Sequence, residues 1–296
     1  MSVGKAKLLL IAVFAARGTS FLFSKTLLQN MAPMSVLAVR FLLAFFVLGI
    51  VFFPKLRHCS RASFRGGVIL GVLYTLCMTF EMYGLRQVDT GIAALIENMA
   101  IVLVPLYVAV LTRTLPKRKT MLCALLAAAG VGFLSLSQTT QGGSGWGIVL
   151  VVCAALTYGF CILATEKVSR DAEPVAIGIV QLGTMGVLSA AAALATGSFG
   201  LPQTGNQWLM MMLLVLLCSC FGFAFQPMGQ KYVPAEAAAV FTVVNPLTAS
   251  ILGITAAGEE INAQKAVGFL LIMAALLLYN IHTEKRTGRQ ALHRHT

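Results

Sequence analysis

Apolar residues run along this chain in long stretches, divided by charges, prolines and clustered glycines. Splitting the sequence at those dividers leaves ten apolar segments, at about 8–28, 34–53, 66–86, 91–111, 120–137, 146–165, 174–196, 207–229, 235–256 and 265–282. Each is close to the roughly 20 residues an α-helix needs to cross a hydrocarbon layer ~30 Å thick. The pattern predicts an all-α membrane protein with ten transmembrane helices. A rival reading takes "LLLIAVFAA" behind Lys5 and Lys7 as a signal peptide cut near Ala16. That cut would leave nine helices and an unmatched first half, so the segment is read as a span.

Composition strengthens this reading. Of 296 residues, 58% are hydrophobic and 11% charged, against about 25% charged in an ordinary soluble domain. A formal charge of +12 would suggest nucleic acid in a soluble protein, but its distribution gives another cause. With the N-terminus in the cytoplasm, seventeen of the 22 lysines and arginines fall on the cytoplasmic side, and only Arg86 and Lys265 on the other. That bias is the positive-inside rule. It puts both termini in the cytoplasm and leaves no role for nucleic acid. Of the seven cysteines only Cys59 lies in a loop, and the others read as small buried hydrophobes.

Five spans precede the glycine-rich stretch "TTQGGSGWG" (139–147) and five follow it. An odd number per half makes the halves insert in opposite orientations. The expected organisation is a first five-helix repeat (1–138), a linker (139–145), a second repeat (146–284) and a basic cytoplasmic tail (285–296). Residual similarity joins "GLRQVDTGIAALIENMAIVLVP" (84–105) to "GQKYVPAEAAAVFTVVNP" (229–246), through Gly84/Gly229, Val88/Val233, Ala93/Ala238 and Ala94/Ala239. Inverted repeats are typical of secondary transporters, which hold substrate near the midplane between them.

The chain resembles, essentially end to end, the EamA-type ten-helix transporters of the drug/metabolite transporter superfamily. The matching stretches are "GTSFLFSK", "APMSVLAVRFLLAF" and "AALIENMAIVLVPLY" in the first half, and "CAALTYGFCILATEK", "NPLTASILGITAAGEE" and "VGFLLIMAALLLY" in the second. The family usually has tryptophan before the glycine of the first motif, where this chain has Arg17. It often has Gly-Glu after the fourth helix, where this chain has "TRTLPKRK". The resemblance implies a multi-pass inner (cell) membrane carrier of small organic metabolites with no ATP-hydrolysing part.

Charges inside the spans mark the candidate site. At 1.5 Å rise per residue, Arg17 lies about 14 Å deep in the first span, close to the midplane. Glu81, Glu97 and Arg40 all reach a height about 6–8 Å outward of the centre. A lone charge at mid-membrane costs at least ~2.5–3.5 kcal/mol, so such groups are expected to pair around a wet cavity, with Arg17 countered by Glu81, Glu97 or both. Asn98, Tyr74, Tyr158, Gln226 and Asn245 are polar groups at span depth that can orient a substrate without full charge. Gln226-Pro227 and Asn245-Pro246 also interrupt helix ladders and free carbonyls. Glu97 and Glu81 are the candidate proton-coupling residues.

These features point to a secondary transporter working by alternating access through a central cavity. Opposed charges at one height suit an amino acid or other zwitterion, with Arg17 meeting a carboxylate. The alternative is a proton-coupled exporter of organic cations or amphipathic drugs. An enzyme is not expected: the four histidines (His58, His282, His293, His295) lie outside the bundle interior, and no H-E-x-x-H or metal-ligand set occurs. No G-x-x-x-x-G-K-[ST] is present, so ATP is not expected as the direct energy source; no cofactor is expected. The expected partners are the small-molecule substrate and the lipid bilayer, with the chain acting as a monomer or homodimer.

Overall fold

The computed structural model describes residues 1–88, 90–116, 118–136, 144–248, 251, 263–264, 266–275 and 278. Among them every regular element is helical. In order these are α1 (Val3–Gly18), α2 (Ser20–Leu28), α3 (Pro33–Val51), α4 (Phe53–Arg57), α5 (Arg61–Leu85), α6 (Thr90–Asn98), α7 (Ala100–Thr112) and α8 (Arg118–Leu136). There follow α9 (Gly145–Arg170), α10 (Pro174–Ala195), α11 (Gly205–Leu213), a π-helical segment (Leu214–Phe223), α12 (Ala224–Gln230) and α13 (Ala235–Phe241). Helix resumes over 244–248 and again over Ala266–Ala275.

Six helical runs among the described residues are long and apolar enough to cross a membrane: Val3–Leu28, Pro33–Val51, Arg61–Leu85, Gly145–Arg170, Pro174–Ala195 and Gly205–Gln230. The expected segment 91–111 falls on α6 and α7, and 120–137 on α8. Segment 235–256 begins on helix and runs out of the described residues, and segment 265–282 is described, as helix, only over 266–275 and at 278; the tail 285–296 and most of the linker 139–145 lie outside the described residues.

The helix ends follow from local chemistry. Proline opens both α3 (Pro33) and α10 (Pro174), where its missing N–H costs nothing and its fixed φ suits the first turn. Ser60 caps α5 by accepting from the Ser63 amide at 3.1 Å, and Thr204 with Gln207 forms a capping box on α11. Lys25 donates to the carbonyls of Leu85 (2.6 Å) and Val88 (2.9 Å) at the end of α5, a cation placed where helix carbonyls lack partners.

Packing joins the two halves throughout. α10 lies along α3 and α5, α5 along α9, and α1 along the π-helical segment and α12. Small residues make the closest of these approaches possible. On the α5 face toward α10, a Cβ on Gly67 would meet the Val180 Cβ at 2.6 Å, and one on Gly71 would meet the Thr184 Cγ2 at 2.8 Å. The G-x-x-x-G spacing of "GVILG" therefore serves helix packing.

One polar contact ties α4 to α10: the Lys55 ammonium lies 3.5 Å from the Glu173 carboxylate, both about half exposed. The same carboxylate caps α10 by accepting from the Ala176 amide at 2.5 Å. Removing the cap costs about 1 kcal/mol, whereas an exposed ion pair contributes between about 0 and 1 kcal/mol. Glu173→Ala should therefore lower the unfolding temperature in detergent more than Lys55→Ala. Equal shifts would mean that the ion pair, and not the cap, holds this end.

Candidate functional site

Helix irregularities gather where the sequence places its buried polar groups. α1 gives way to α2 at Thr19, directly after Arg17-Gly18. The carbonyl of Ala16 loosened there accepts from the Thr19 hydroxyl at 2.8 Å and from the Cys218 thiol at 3.2 Å. α6 breaks from α7 at Met99, two residues after Glu97. The turn at 242–243 interrupts the helix two residues before Asn245. Gln226 lies three residues past the π-helical segment. Broken helices at membrane depth are tolerated only where the backbone is covered by protein or lines a cavity.

All eight candidate residues are buried: Arg17, Glu81, Glu97, Asn98 and Asn245 are between 4% and 6% exposed, and Tyr74, Tyr158 and Gln226 are 1% exposed. Arg17 is the hub. Its Nη1 donates to Gln226 Oε1 at 2.7 Å, and its guanidinium lies 4.2 Å from the ring centre of Phe223 and 5.2 Å from that of Tyr158. Gly222 leaves room for the stem, since a Cβ there would meet the Arg17 Cγ at 2.6 Å. Gln226 Nε2 donates to the Tyr74 hydroxyl at 2.9 Å and to Gln230 Oε1 at 2.8 Å. Gln230 in turn donates to the Ile162 carbonyl at 2.9 Å. That carbonyl can only accept, which fixes the orientation of both amides and leaves Gln226 Oε1 for Arg17. Tyr74 meets Tyr158 and Phe223 edge to face, with centroids 6.4 and 5.4 Å apart.

Arg40 is a second buried cation beside this cluster. Its Nε donates to Ser219 Oγ at 2.7 Å and its Nη1 to Ser20 Oγ at 3.2 Å, and its guanidinium lies 5.6 Å from the same Phe223 ring. Glu81 is within electrostatic range of both arginines, and Glu97 of Glu81 and Arg17. The expected direct pairing of Arg17 with a glutamate is not what forms. Among the described residues neither carboxylate makes an ion pair with an arginine, and Arg17 is bound by a neutral amide and aromatic faces. The reason is geometric: Gln226 and Phe223, from the run containing the π turns, lie directly on the guanidinium.

Several polar atoms are left without hydrogen-bond partners in this interior: Glu81 Oε2, Glu97 Oε2, Tyr158 Oη, Asn245 Oδ1 and Arg40 Nη2. Unsatisfied groups of this kind are costly unless something else occupies them. Asn98 stands apart, since its amide donates to the Ala94 carbonyl of its own helix at 2.8 Å. Asn245 is tied to the cluster by its backbone, which packs against Gly18. The reading of the residues missed Phe223, Ser219, Ser20 and Gln230. Only Gln230 had a legible signal, its i+4 spacing from Gln226 on one helix face.

The fold is shared with known proteins. One solved crystal structure superposes with a TM-score of 0.78 at 16% identity, covering 96% of this chain and 99% of that one. An uncharacterised transporter of Archaeoglobus fulgidus is 25% identical over 94% of this chain and 96% of its own length. The transporter YcxC of Bacillus subtilis is 24% identical over 93% and 92%, and the inner membrane transporter YedA of Escherichia coli K12 is 24% identical over 92% and 89%. The profile of the EamA-like transporter family matches twice, over residues 4–136 and again over 145–281. The chain is a multi-pass membrane protein built on two repeats, and it belongs to the EamA-like transporter family.

Proposed function

We propose that this transporter is a secondary carrier of a small polar organic metabolite, an amino acid or similar zwitterion, working by alternating access at the Arg17 cluster. Ten spans, in two five-helix repeats (1–138 and 146–284) of opposite orientation with both termini in the cytoplasm, supply the frame. One observation carries the reading. Two arginines and two glutamates, each no more than 6% exposed, share one interior without arginine–glutamate ion pairs among the described residues. A lock between helices would close those pairs, whereas a site must keep them open for a ligand. A carboxylate entering the site would be met by Arg17, and an ammonium by Glu81 or Glu97.

The surplus of unpartnered acceptors favours a second reading. With Arg17 engaged by Gln226, an organic cation would satisfy Glu81 Oε2, Glu97 Oε2 and Asn245 Oδ1, with either glutamate exchanging a proton for the cargo. Counterflow in proteoliposomes separates the two. Labelled amino acid should exchange against unlabelled amino acid in the wild type, with loss in Glu97→Gln. Exchange of quaternary ammonium probes alone would favour the cation reading, and exchange of neither would remove both.

A further inference from the structure

Away from the central cluster, α5, α7, α9 and α13 enclose a lateral groove of about 840 Å3. Its walls come from both repeats and are apolar, with Leu73 from α5, Leu111 from α7 and Phe160 and Leu163 from α9. Its mouth lies where three helices terminate together: Thr112 is the last residue of α7, Arg170 the last of α9 and Ala235 the first of α13. In a membrane bundle such ends sit at the interface. Phe160, ten residues before Arg170, lies about 15 Å from the mouth along α9. That is about half of the ~30 Å hydrocarbon thickness, so the slot has the depth of one leaflet. Its far end is firm, because Tyr107 stacks on Phe160 with ring centres 4.3 Å apart.

The mouth carries both signs of charge. Glu166 is already engaged: it pairs with Arg170 and accepts from the Ala235 amide at 2.7 Å. Exposed Lys167 and half-buried Glu236 both line the groove, and among the described residues neither side chain has a hydrogen-bond or ion-pair partner. A slot one leaflet deep, with a free cation and a free carboxylate at its rim, is complementary to a phospholipid that carries a phosphate and a primary amine. We propose that this groove binds one phosphatidylethanolamine-type lipid: an acyl chain against Phe160 and Leu163, the phosphate on Lys167, and the ammonium on Glu236. A phosphatidylglycerol would present no amine to Glu236, and a choline headgroup has no N–H to donate to it. Because both repeats wall the groove, the lipid would bridge them, and the site is separate from the Arg17 cluster.

The test is native mass spectrometry of the full-length protein in mild detergent, equilibrated with equal amounts of phosphatidylethanolamine, phosphatidylcholine and phosphatidylglycerol. The wild type should retain one phosphatidylethanolamine at several times the level of either other lipid. Lys167→Ala should lower retention of all three headgroups, and Glu236→Ala should abolish the preference for the amine. Glu236→Lys, which makes the mouth wholly basic, should switch the preference to phosphatidylglycerol, a gain that misfolding cannot produce. Equal retention of the three lipids by the wild type would overturn the proposal, as would an ethanolamine preference that survives both Glu236 substitutions.

Discussion

Replacing Arg17 by alanine should reduce counterflow in proteoliposomes by about 10- to 100-fold or more. A charge-assisted hydrogen bond to a ligand is worth about 1.5–3 kcal/mol, and each 1.4 kcal/mol is about tenfold in affinity. The substitution also strips Gln226 Oε1 of its donor in a buried setting, which costs a further ~1–3 kcal/mol of stability, and it removes the cation from the faces of Phe223 and Tyr158. The unfolding temperature should therefore fall alongside the rate. Arg17→Lys separates the two effects. Its ammonium keeps the charge but lacks the planar fork that bonds Gln226 while lying on a ring, so stability should recover more than transport does. Full transport by Arg17→Ala would remove the cluster from the substrate path.

Gly18→Val should be the most damaging single change in the first helix. A Cβ at Gly18 falls against the backbone of Asn245, 2.9 Å from its Cα and 3.0 Å from its carbonyl carbon. Backbone cannot rotate out of the way as a side chain can, so the helices must separate by several tenths of an ångström. Overpacking of this kind costs about 1–3 kcal/mol, and the branched side chain adds to the intrusion. The separation would act beside Arg17 and open the contact between the first span and the helical segment 244–248. A thermal unfolding series of Gly18→Ala and Gly18→Val should show a graded fall, with transport lost first. Unchanged melting of Gly18→Val would mean that this approach is not maintained in the membrane.

The sequence was most informative about depth and least about direction. Among the described residues, apolar runs located the six long helical runs to within about five residues at either end, because crossing hydrocarbon imposes length and polarity together. The ends of α10 were expected at 174 and 196, and the helix runs from Pro174 to Ala195. All eight candidate residues, read as interior because they are charged or polar within spans, are buried. Which partner each would take was not legible. Height along a helix says nothing about azimuth, and azimuth is set by the breaks at Thr19 and Met99 and by the π turns. These decide that Arg17 faces Gln226 and Phe223 and not a carboxylate. The polar atoms without partners were equally hidden, since they depend on contacts between segments far apart in the chain.

The run Gly205–Gln230 contains 26 residues, while its counterpart Arg61–Leu85 contains 25. A π turn takes in one residue more than an α turn, and Leu214–Phe223 is where this run departs from α geometry. Both runs still finish alike, with Gly84 and Gly229 each next to last. In a uniformly α-helical run of 25 residues, the stretch before Leu214 would be turned by about 100° relative to Gln226. Between the two family-matched repeats, these π turns give one run a differently aimed wall. A scaffold of two repeats thereby acquires an asymmetric interior.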